Sequence, residues 1–338
     1  YKKRVDETFP NNKNVDSIAD LLVDWFHKLF LCLDSACSWF EVSTTGPFQF
    51  QKCEGDAYLQ WRDRGYRTIL YVLMRKVPDM TQQLPIDDKI LLNKEVNRIV
   101  WDSNSMNSGG VTVECSDGSS YNGDHAIVTV SVGVLKNLYK NFVPELPTLK
   151  KTAIEAIAIG GIKKILLKFE NKWWPDDLKG FSFVWTEADR KKILEEFPHG
   201  PSENGRSWLE DVYGFYVIDS HPRVLMGWVV GPMVEEVEKL SDDIVLEGSL
   251  YLLKKFVGHK YNVTQVDGVL RGAYTYPCLN AEKRKVSHEN LTTPVINSAS
   301  KPVLLFAGEG THSKFYSTVH GAIETGFREA DRILNIYK

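Results

Sequence analysis

The sequence predicts a mixed α/β (α+β) fold in which two domains are interleaved along the chain. Apolar residues recur at helical spacing over residues 15–33, and short β-branched runs fill residues 89–135. An apolar run at 302–307 ends at a glycine and an acid, and a final helical pattern follows. With 338 residues, 43% hydrophobic and 25% charged, the chain is long enough to form two cores.

The N-terminal part, residues 1–84, is predicted to be helical. A first helix over 15–33 begins at Asp16 or Ser17, either of which can cap its first turn. A second, short helix over 65–73 is stopped by Pro78, because proline cannot continue a helix. A polar loop joins the two helices.

Residues 85–135 are predicted to form a small β-meander. Asp117-Gly118 marks a tight hairpin, because glycine tolerates the positive φ that such turns require. The predicted strands cover residues 90–92, 96–101, 111–115 and 126–130.

Residues 136–265 return to mixed elements. A helix over 149–159 ends at Gly160-Gly161, and Ser241 is the predicted cap for helices within 234–255. The predicted strands of this part cover residues 162–169, 180–185, 213–218 and 224–230.

The last part, 266–338, contains the most informative feature, a buried strand that meets a helix at residues 302–322. Backbone N–H groups in the first turn of a helix have no intrahelical acceptor, so they can bind the oxygens of a ligand. Glu309 stands in this junction and can accept hydrogen bonds from a ribose or a water. This is where α/β folds hold nucleotides, so we expect the chemistry here.

Composition excludes several classes of function. A net charge of −3 gives no reason to expect nucleic acid or an anionic membrane as partner, and no apolar stretch reaches membrane-spanning length. Five cysteines without a C-x-x-C pair favour reduced thiols and a cytoplasmic location. His312 and His320 are eight residues apart with no acidic ligand at helical spacing, so no metal site is expected.

Several motifs resemble the polyamine oxidases, within the flavin amine oxidase family. The C-terminal motif resembles the flavin-binding segment of that family and is carried by residues 306–311, 317–322, Gly326 and 328–330. Upstream segments agree with it in order: residues 65–68, 124–136, 163–175 and 271–276. Together these motifs span most of the chain.

The resemblance implies FAD as cofactor, held by an incomplete Rossmann-like domain made of residues 85–135 and 266–338, with 1–84 and 136–265 forming the substrate-binding domain. It implies flavin contacts at Glu309, Thr318 and Val319, and a backbone contact between Val96 and the adenine. Taken alone, Val96 is a plain strand residue.

Lys164 is the sharpest catalytic candidate. It lies in an apolar strand, where an ammonium group must reach solvent or find polar partners. The resemblance implies that Lys164 holds a water against flavin N5. A strand lysine that reaches to the surface remains the alternative, and a shift of register by one residue would give the role to Lys163.

The resemblance also places Tyr274 and Thr318 beside the flavin on the substrate side, with Tyr316 as a wall of the substrate pocket. Aromatic faces can orient a neutral amine without donating protons to it. Without the motif, Tyr274 is a strand residue that fills one face of a sheet. Asp34, Glu41 or Glu187 could meet a distal ammonium group, and the sequence singles out none of them.

The implied reaction is FAD-dependent oxidation of spermine, spermidine or their N1-acetyl forms by dioxygen, which gives an aldehyde, a shorter amine and hydrogen peroxide. The Gly-x-Gly-x-x-Gly turn with which such oxidases open does not occur in this sequence. A truncated, non-catalytic binding or regulatory chain is therefore the alternative. A histone demethylase shares the motifs, but nothing in the sequence suggests its partner-binding helical insertion.

Overall fold

Both helices and strands build this fold. A computed structural model describes residues 2–8, 10, 13–43, 51, 53–56, 61–102, 110–264, 275–276 and 279–338. The α-helices, numbered in chain order, are α1 Lys2–Thr8, α2 Lys13–Asp34, α3 Arg67–Leu73, α4 Val132–Leu138, α5 Thr148–Ala156, α6 Glu187–Glu196, α7 Val234–Glu238, α8 Asp242–Val257, α9 Leu279–Lys283, α10 His288–Thr292 and α11 Val319–Ile336. The strands are β1 Val96–Trp101, β2 Val111–Cys115, β3 Ser120–Gly123, β4 Ala126–Val128, β5 Phe142–Val143, β6 Ala158–Ile159, β7 Lys163–Lys168, β8 Gly180–Ser182, β9 Ser202–Glu203, β10 Arg206–Ser207, β11 Val212–Ile218, β12 His221–Val229, β13 Thr275–Tyr276, β14 Val295–Ile296 and β15 Pro302–Phe306. The predicted mixed fold class is confirmed.

The helices follow the sequence signals in part. Helix α2 begins at Lys13, so the predicted start at Asp16 or Ser17 was wrong. Helix α5 ends at Ala156 rather than at Gly160-Gly161, because Ala158–Ile159 forms β6.

The predicted cap Ser241 accepts a hydrogen bond from the Ile244 N–H at 3.4 Å and starts α8. Helix α6 was not predicted, although Thr186 and Asp189 form a capping box at its start. Within the described ranges, no helix is both long and apolar enough to cross a membrane.

The chain divides into two compact units. Unit 1 comprises Tyr1–Ser43 and Ala158–Leu279, and unit 2 comprises Thr44–Ile157 and Asn280–Lys338. The predicted domain limits, at 84/85, 135/136 and 265/266, fall at other positions than these limits. Residues 61–84 and 136–157 thus group with the meander in unit 2, and the roles assigned to the domains stay a prediction.

Unit 1 contains an antiparallel sheet in the order β7-β12-β11-β8. One face of this sheet is apolar and packs on a buried cluster that includes Ile165, Leu167, Trp208 and Phe215. Side chains alternate between the two faces of a strand, so Lys164 in β7 points to the opposite face from Ile165. Helix α2 approaches that second face, since the charge of Lys164 acts on the Cys32 thiol of α2.

Unit 2 contains two sheets where the sequence predicted one meander. Strands β3, β2 and β1 pair antiparallel, and β5 adds to β1 in parallel. The predicted strand at 126–130 is shorter, and it does not belong to the meander: β4 pairs in parallel with β15 in the sheet β14-β15-β4. A parallel partner far along the chain leaves no local sequence signal, which is why the meander prediction was wrong here.

The predicted strand at 90–92 does not form. Ile90, Leu91 and Leu92 are exposed and lie between a 3₁₀ turn, Asp87–Lys89, and Asn93, which has a φ of 58°. A left-handed residue turns the chain away from extended pairing. The apolar run thus had strand composition without a partner strand among the described residues.

Candidate active site

The junction after β15 is a tight turn between a buried strand and a helix. Val303, Leu304 and Leu305 are fully buried, and the Ala307 N–H continues the pairing to the Val128 carbonyl at 3.1 Å. Gly308 then adopts a φ of 125°, in a region that residues with a side chain rarely enter. The chain passes directly into the 3₁₀ turn Glu309–Thr311.

Glu309 is tied to the loop that leads into α11. Its Oε2 accepts a hydrogen bond from the Ser317 N–H at 2.9 Å, and Ser317 adopts a left-handed φ of 63°. Thr318 caps α11, because its Oγ1 accepts from the Gly321 N–H at 3.1 Å. The structure therefore places Glu309 next to the start of α11, where Thr318 is the cap and Val319 is the first helical residue.

Gly321 allows the close approach of this loop to the helix. A Cβ built on Gly321 would lie 2.0 Å from the Phe315 carbonyl oxygen, a distance that no real contact reaches. The Thr318 hydroxyl donates to the same carbonyl at 2.6 Å. Residue 321 must therefore be glycine for the cap and the loop to keep this geometry.

Tyr316 is anchored by a residue that the sequence did not indicate. Its ring stacks on His288 with centroids 4.6 Å apart and planes 7° apart, and both side chains are buried. Burial lowers the pKa of His288 to about 4, so its imidazole is neutral at physiological pH. His288 lies in α10, a helix of five residues, and no sequence motif marks this histidine.

Val96 begins β1, as the sequence predicted, and pairs with Cys115 in β2. Its contact with an adenine stays a prediction. His312 shapes the loop before α11: its Nδ1 accepts from the Lys314 and Phe315 N–H groups at 3.1 and 2.8 Å, and its Nε2 lies 3.1 Å from Glu324. Among the residues whose positions are described, no cluster of three His, Cys, Asp or Glu could hold a metal.

Lys164 and Lys163 point to opposite faces of the unit 1 sheet. Lys163 is fully buried and forms an ion pair with Glu238. Lys164 is half-buried, and its Nζ lies 4.7 Å from the ring centroid of Trp228, its cross-strand neighbour in β12. The structure thus separates the two lysines: Lys163 is engaged with Glu238, and Lys164 occupies the other face.

The face that carries Lys164 also carries a buried thiol. Burial raises the pKa of Cys32 in α2, while a hydrogen bond with Tyr213 and the charge of Lys164 oppose that rise. Helix α2 ends at Asp34, whose pKa is raised by burial. Tyr274 lies outside the described residues, so nothing can be added to its predicted role.

Comparison with known proteins decides the family. The model of the family described as flavin containing amine oxidoreductase matches residues 18–334. The chain belongs to this family. FAD, the cofactor expected from the sequence, is confirmed at family level.

Among the relatives to which this chain is similar is a human protein named peroxisomal N(1)-acetyl-spermine/spermidine oxidase, 30% identical over an alignment of 293 residues that covers 81% of this chain and 54% of the relative. A protein from Arabidopsis thaliana, named probable polyamine oxidase 5, is 27% identical over 318 residues, covering 81% of this chain and 55% of the relative. The chain thus spans about half the length of the curated relatives it matches.

The solved structure of cyclohexylamine oxidase from Brevibacterium oxydans IH-35A superposes with a TM-score of 0.57 at 16% identity, over 99% of this chain and 67% of the other. A putrescine oxidase triple mutant gives a TM-score of 0.50 at 18% identity, over 74% of this chain and 50% of the other. At these identities the likeness shows the fold, and it agrees with the predicted mixed α/β class.

Proposed function

We propose that the protein is a FAD-dependent polyamine oxidase that acts on spermine, spermidine or their N1-acetyl forms. It oxidises the carbon next to a secondary amine to an imine, with dioxygen as acceptor and hydrogen peroxide as its product, and one water hydrolyses the imine to an aldehyde and a shorter amine. The observation that carries the proposal is the turn in which Glu309 binds the Ser317 N–H beside the capped start of α11. The names of the human and plant relatives support a polyamine as substrate.

The residues of this turn fit one part of FAD. The positive φ of Gly308 and the close approach at Gly321 keep the turn free of bulky side chains. The first N–H groups of α11 and the positive end of its dipole suit an electron-rich ring edge. Glu309, Thr318 and Val319 would therefore hold the flavin, and the Val96 backbone would hold the adenine.

When bound, FAD supplies the two-electron acceptor for the carbon–hydrogen bond next to the amine, and dioxygen takes up the electrons as hydrogen peroxide. Lys164 would hold a water with its ammonium donors. Its position supports this role: the side chain is only half-buried, and the Trp228 ring limits the directions that Nζ can take. Lys163, paired with Glu238, is less suited to it.

We propose Tyr316 and Thr318, both in unit 2, as walls of the substrate pocket, and the role predicted for Tyr274 from the sequence is kept as a proposal. Stacking on the neutral His288 holds the Tyr316 ring in one orientation without placing a positive charge against the cationic substrate. A rigid aromatic face can orient an amine at a low entropic cost.

Asp34 is the acid we propose for the distal ammonium of the polyamine. Glu41 and Glu187 are exposed, whereas Asp34 is half-buried, and burial raises its pKa. It also ends α2, where the negative end of the helix dipole disfavours a carboxylate. A cation beside Asp34 would relieve both costs.

An anaerobic titration followed by visible absorption tests the proposal. The purified full-length protein should show flavin bands that bleach with spermine or N1-acetylspermine. Putrescine, a diamine without a secondary amine, is the matched control and should bleach them far less. A protein that binds FAD and bleaches with none of these amines would end the polyamine assignment, and one that never binds FAD would favour a non-catalytic binding chain.

We also propose a reducing, cytoplasmic location. The described cysteines Cys32, Cys37, Cys53 and Cys115 are thiols, which supports such a compartment.

A further inference from the structure

Two side chains of helix α11, Thr325 and Arg328, form hydrogen bonds with the turn that begins at Gly308. Thr325 is fully buried, and its Oγ1 accepts from the Gly308 N–H at 2.8 Å while donating to the Ala322 carbonyl at 2.7 Å. This one hydroxyl gives the Gly308 N–H its acceptor. The conformation of Gly308 thus depends on a side chain of the helix.

Arg328, one turn further along α11, holds both ends of the same turn. Its Nη2 donates to the Phe306 carbonyl at 2.7 Å, and its Nη1 donates to the Thr311 carbonyl at 3.2 Å. Phe306 is the last residue of β15, and Thr311 is the last residue of the 3₁₀ turn. Because a guanidinium is a rigid planar fork, it fixes the spacing of the two carbonyls between which Glu309 lies.

The guanidinium is itself fixed. Its Nε donates to Oε1 of Glu329 at 2.6 Å, and Glu329 is fully buried. The second oxygen, Oε2, accepts from Arg332 Nε at 2.9 Å. A buried carboxylate needs cationic hydrogen-bond donors, and this pairing holds Arg328 in one rotamer.

A second set of contacts reaches the turn from α10 and α5. Thr292 Oγ1 donates to the Thr311 carbonyl at 2.9 Å, the same oxygen that Arg328 binds. The buried Lys150 lies with its Nζ 4.1 Å from the Phe306 ring centroid and donates to the Leu291 carbonyl at 2.7 Å. The strand end therefore packs on the buried Lys150, and the turn end is bonded to the half-buried Thr292.

We propose that Arg328 is a positioning residue for FAD binding. By bridging Phe306 and Thr311 it sets where the carboxylate of Glu309 stands, and Thr325 sets the backbone of Gly308 next to it. Arg328 itself does not need to touch the cofactor. The inference rests on the proposed role of Glu309 in holding the flavin.

Arg328→Lys tests this proposal, with Arg332→Lys as its matched control. Both substitutions keep a positive charge beside Glu329, but Arg328→Lys removes the fork that spans the two carbonyls. The dissociation constant of FAD is measured by titrating FAD into the deflavinated full-length protein, and its thermal unfolding is followed in parallel. We expect Arg328→Lys to weaken FAD binding about tenfold or more, and Arg332→Lys to change it by less than about threefold.

Equal weakening in both variants, or FAD binding by a folded Arg328→Lys protein as tight as that of the wild type, would overturn the proposal. If Arg328→Lys does not fold, Thr325→Val decides, because it removes only the hydroxyl that binds the Gly308 N–H. It should also weaken FAD binding, and unchanged binding would overturn the proposal as well.

The proposed substrate class and the proposed role of Arg328 can fail independently of each other. If the wild type binds FAD and does not oxidise polyamines, the proposed substrate class fails while the FAD titrations still test Arg328. If Glu309→Gln leaves FAD binding unchanged and Arg328→Lys weakens it, the turn acts through a group other than the Glu309 carboxylate, and the inference is overturned in its stated form.

Discussion

At the scale of single residues, the alternation of side chains along β7 decides which lysine is suited to the proposed role of holding a water. The sequence predicted that Lys163 and Lys164 lie on opposite faces, because neighbouring strand residues always do. It could not predict that Glu238, a helix residue, pairs with Lys163, or that Trp228 stands opposite Lys164 in β12. Cross-strand register depends on the whole sheet, so partners of this kind have no local signal.

Lys164→Met should keep FAD binding and slow both turnover and flavin reoxidation, on the order of tenfold to a hundredfold, since it removes the proposed water-holding ammonium. Lys168→Met is the control. Lys168 is exposed and lies on the same face of β7 as Lys164. Stopped-flow absorption of the reduced flavin mixed with dioxygen measures the effect. An unchanged rate in Lys164→Met would remove Lys164 from the mechanism.

At the scale of elements, local signals set what could be predicted. The start of α11 at Val319 agrees with the sequence, because Thr318 is a strong N-cap and a long amphipathic pattern follows. The buried run of β15 was equally clear. The partner of β15 was not, since β4 pairs with it in parallel from far along the chain. The roles of Thr325 and Arg328 were missed because both depend on how α11 lies against that strand.

Two glycine substitutions in α11 should have opposite effects. Gly321→Ala places a Cβ against the Phe315 carbonyl, so we expect it to destabilise the protein by about 1–3 kcal/mol and to weaken FAD binding. Gly326→Ala is the control: no atom of the described residues lies within 4 Å of the added Cβ. Since alanine favours a helix, it should stabilise the protein by about 0.5–1 kcal/mol. Chemical unfolding of both variants measures the difference, and destabilisation by Gly326→Ala would contradict the account.

At the scale of the whole molecule, unit 1 contains a cluster of ion pairs in addition to its apolar core. Arg190 binds both Asp24 and Glu210, and Arg206 approaches Glu210 and Asp211. The chain segments involved are far apart in sequence, so composition alone could not reveal the cluster. Within the described residues, Asp211 Oδ2 is buried without a hydrogen-bond partner.

Asp211 should make unit 1 less stable as the pH rises. Burial raises its pKa to about 7, against the nearby charges of Arg206 and Lys28, while Glu210 and Asp24 add to the rise. The unfolded chain releases this proton near pH 4 and the folded chain near pH 7, so the contribution of Asp211 to the free energy of unfolding falls between these values.

Asp211→Asn should remove the contribution of Asp211 to the pH dependence and stabilise the protein at pH 8 relative to the wild type, on the order of 4 kcal/mol, while changing little at pH 4. Urea unfolding at both pH values measures it. Asp219→Asn, a change at an exposed carboxylate, gives the baseline. A difference in stability between Asp211→Asn and the wild type that is the same at pH 4 and at pH 8 would contradict the buried, protonated state of Asp211.

The pairing of β4 with β15 also determines when each unit can complete its fold during synthesis. The main sheet of unit 1 is built from strands between Lys163 and Val229, so it can close before the C-terminal segment is translated. Next to β4, by contrast, His125 Nδ1 lies 2.6 Å from the carbonyl of Pro302, 177 residues further along the chain. Non-local pairing of this kind is slow, and β4 keeps an unpaired edge towards β15 until the last strand arrives. The nascent chain is therefore most prone to aggregation at unit 2, and any stop codon before Pro302 would leave that edge permanently open.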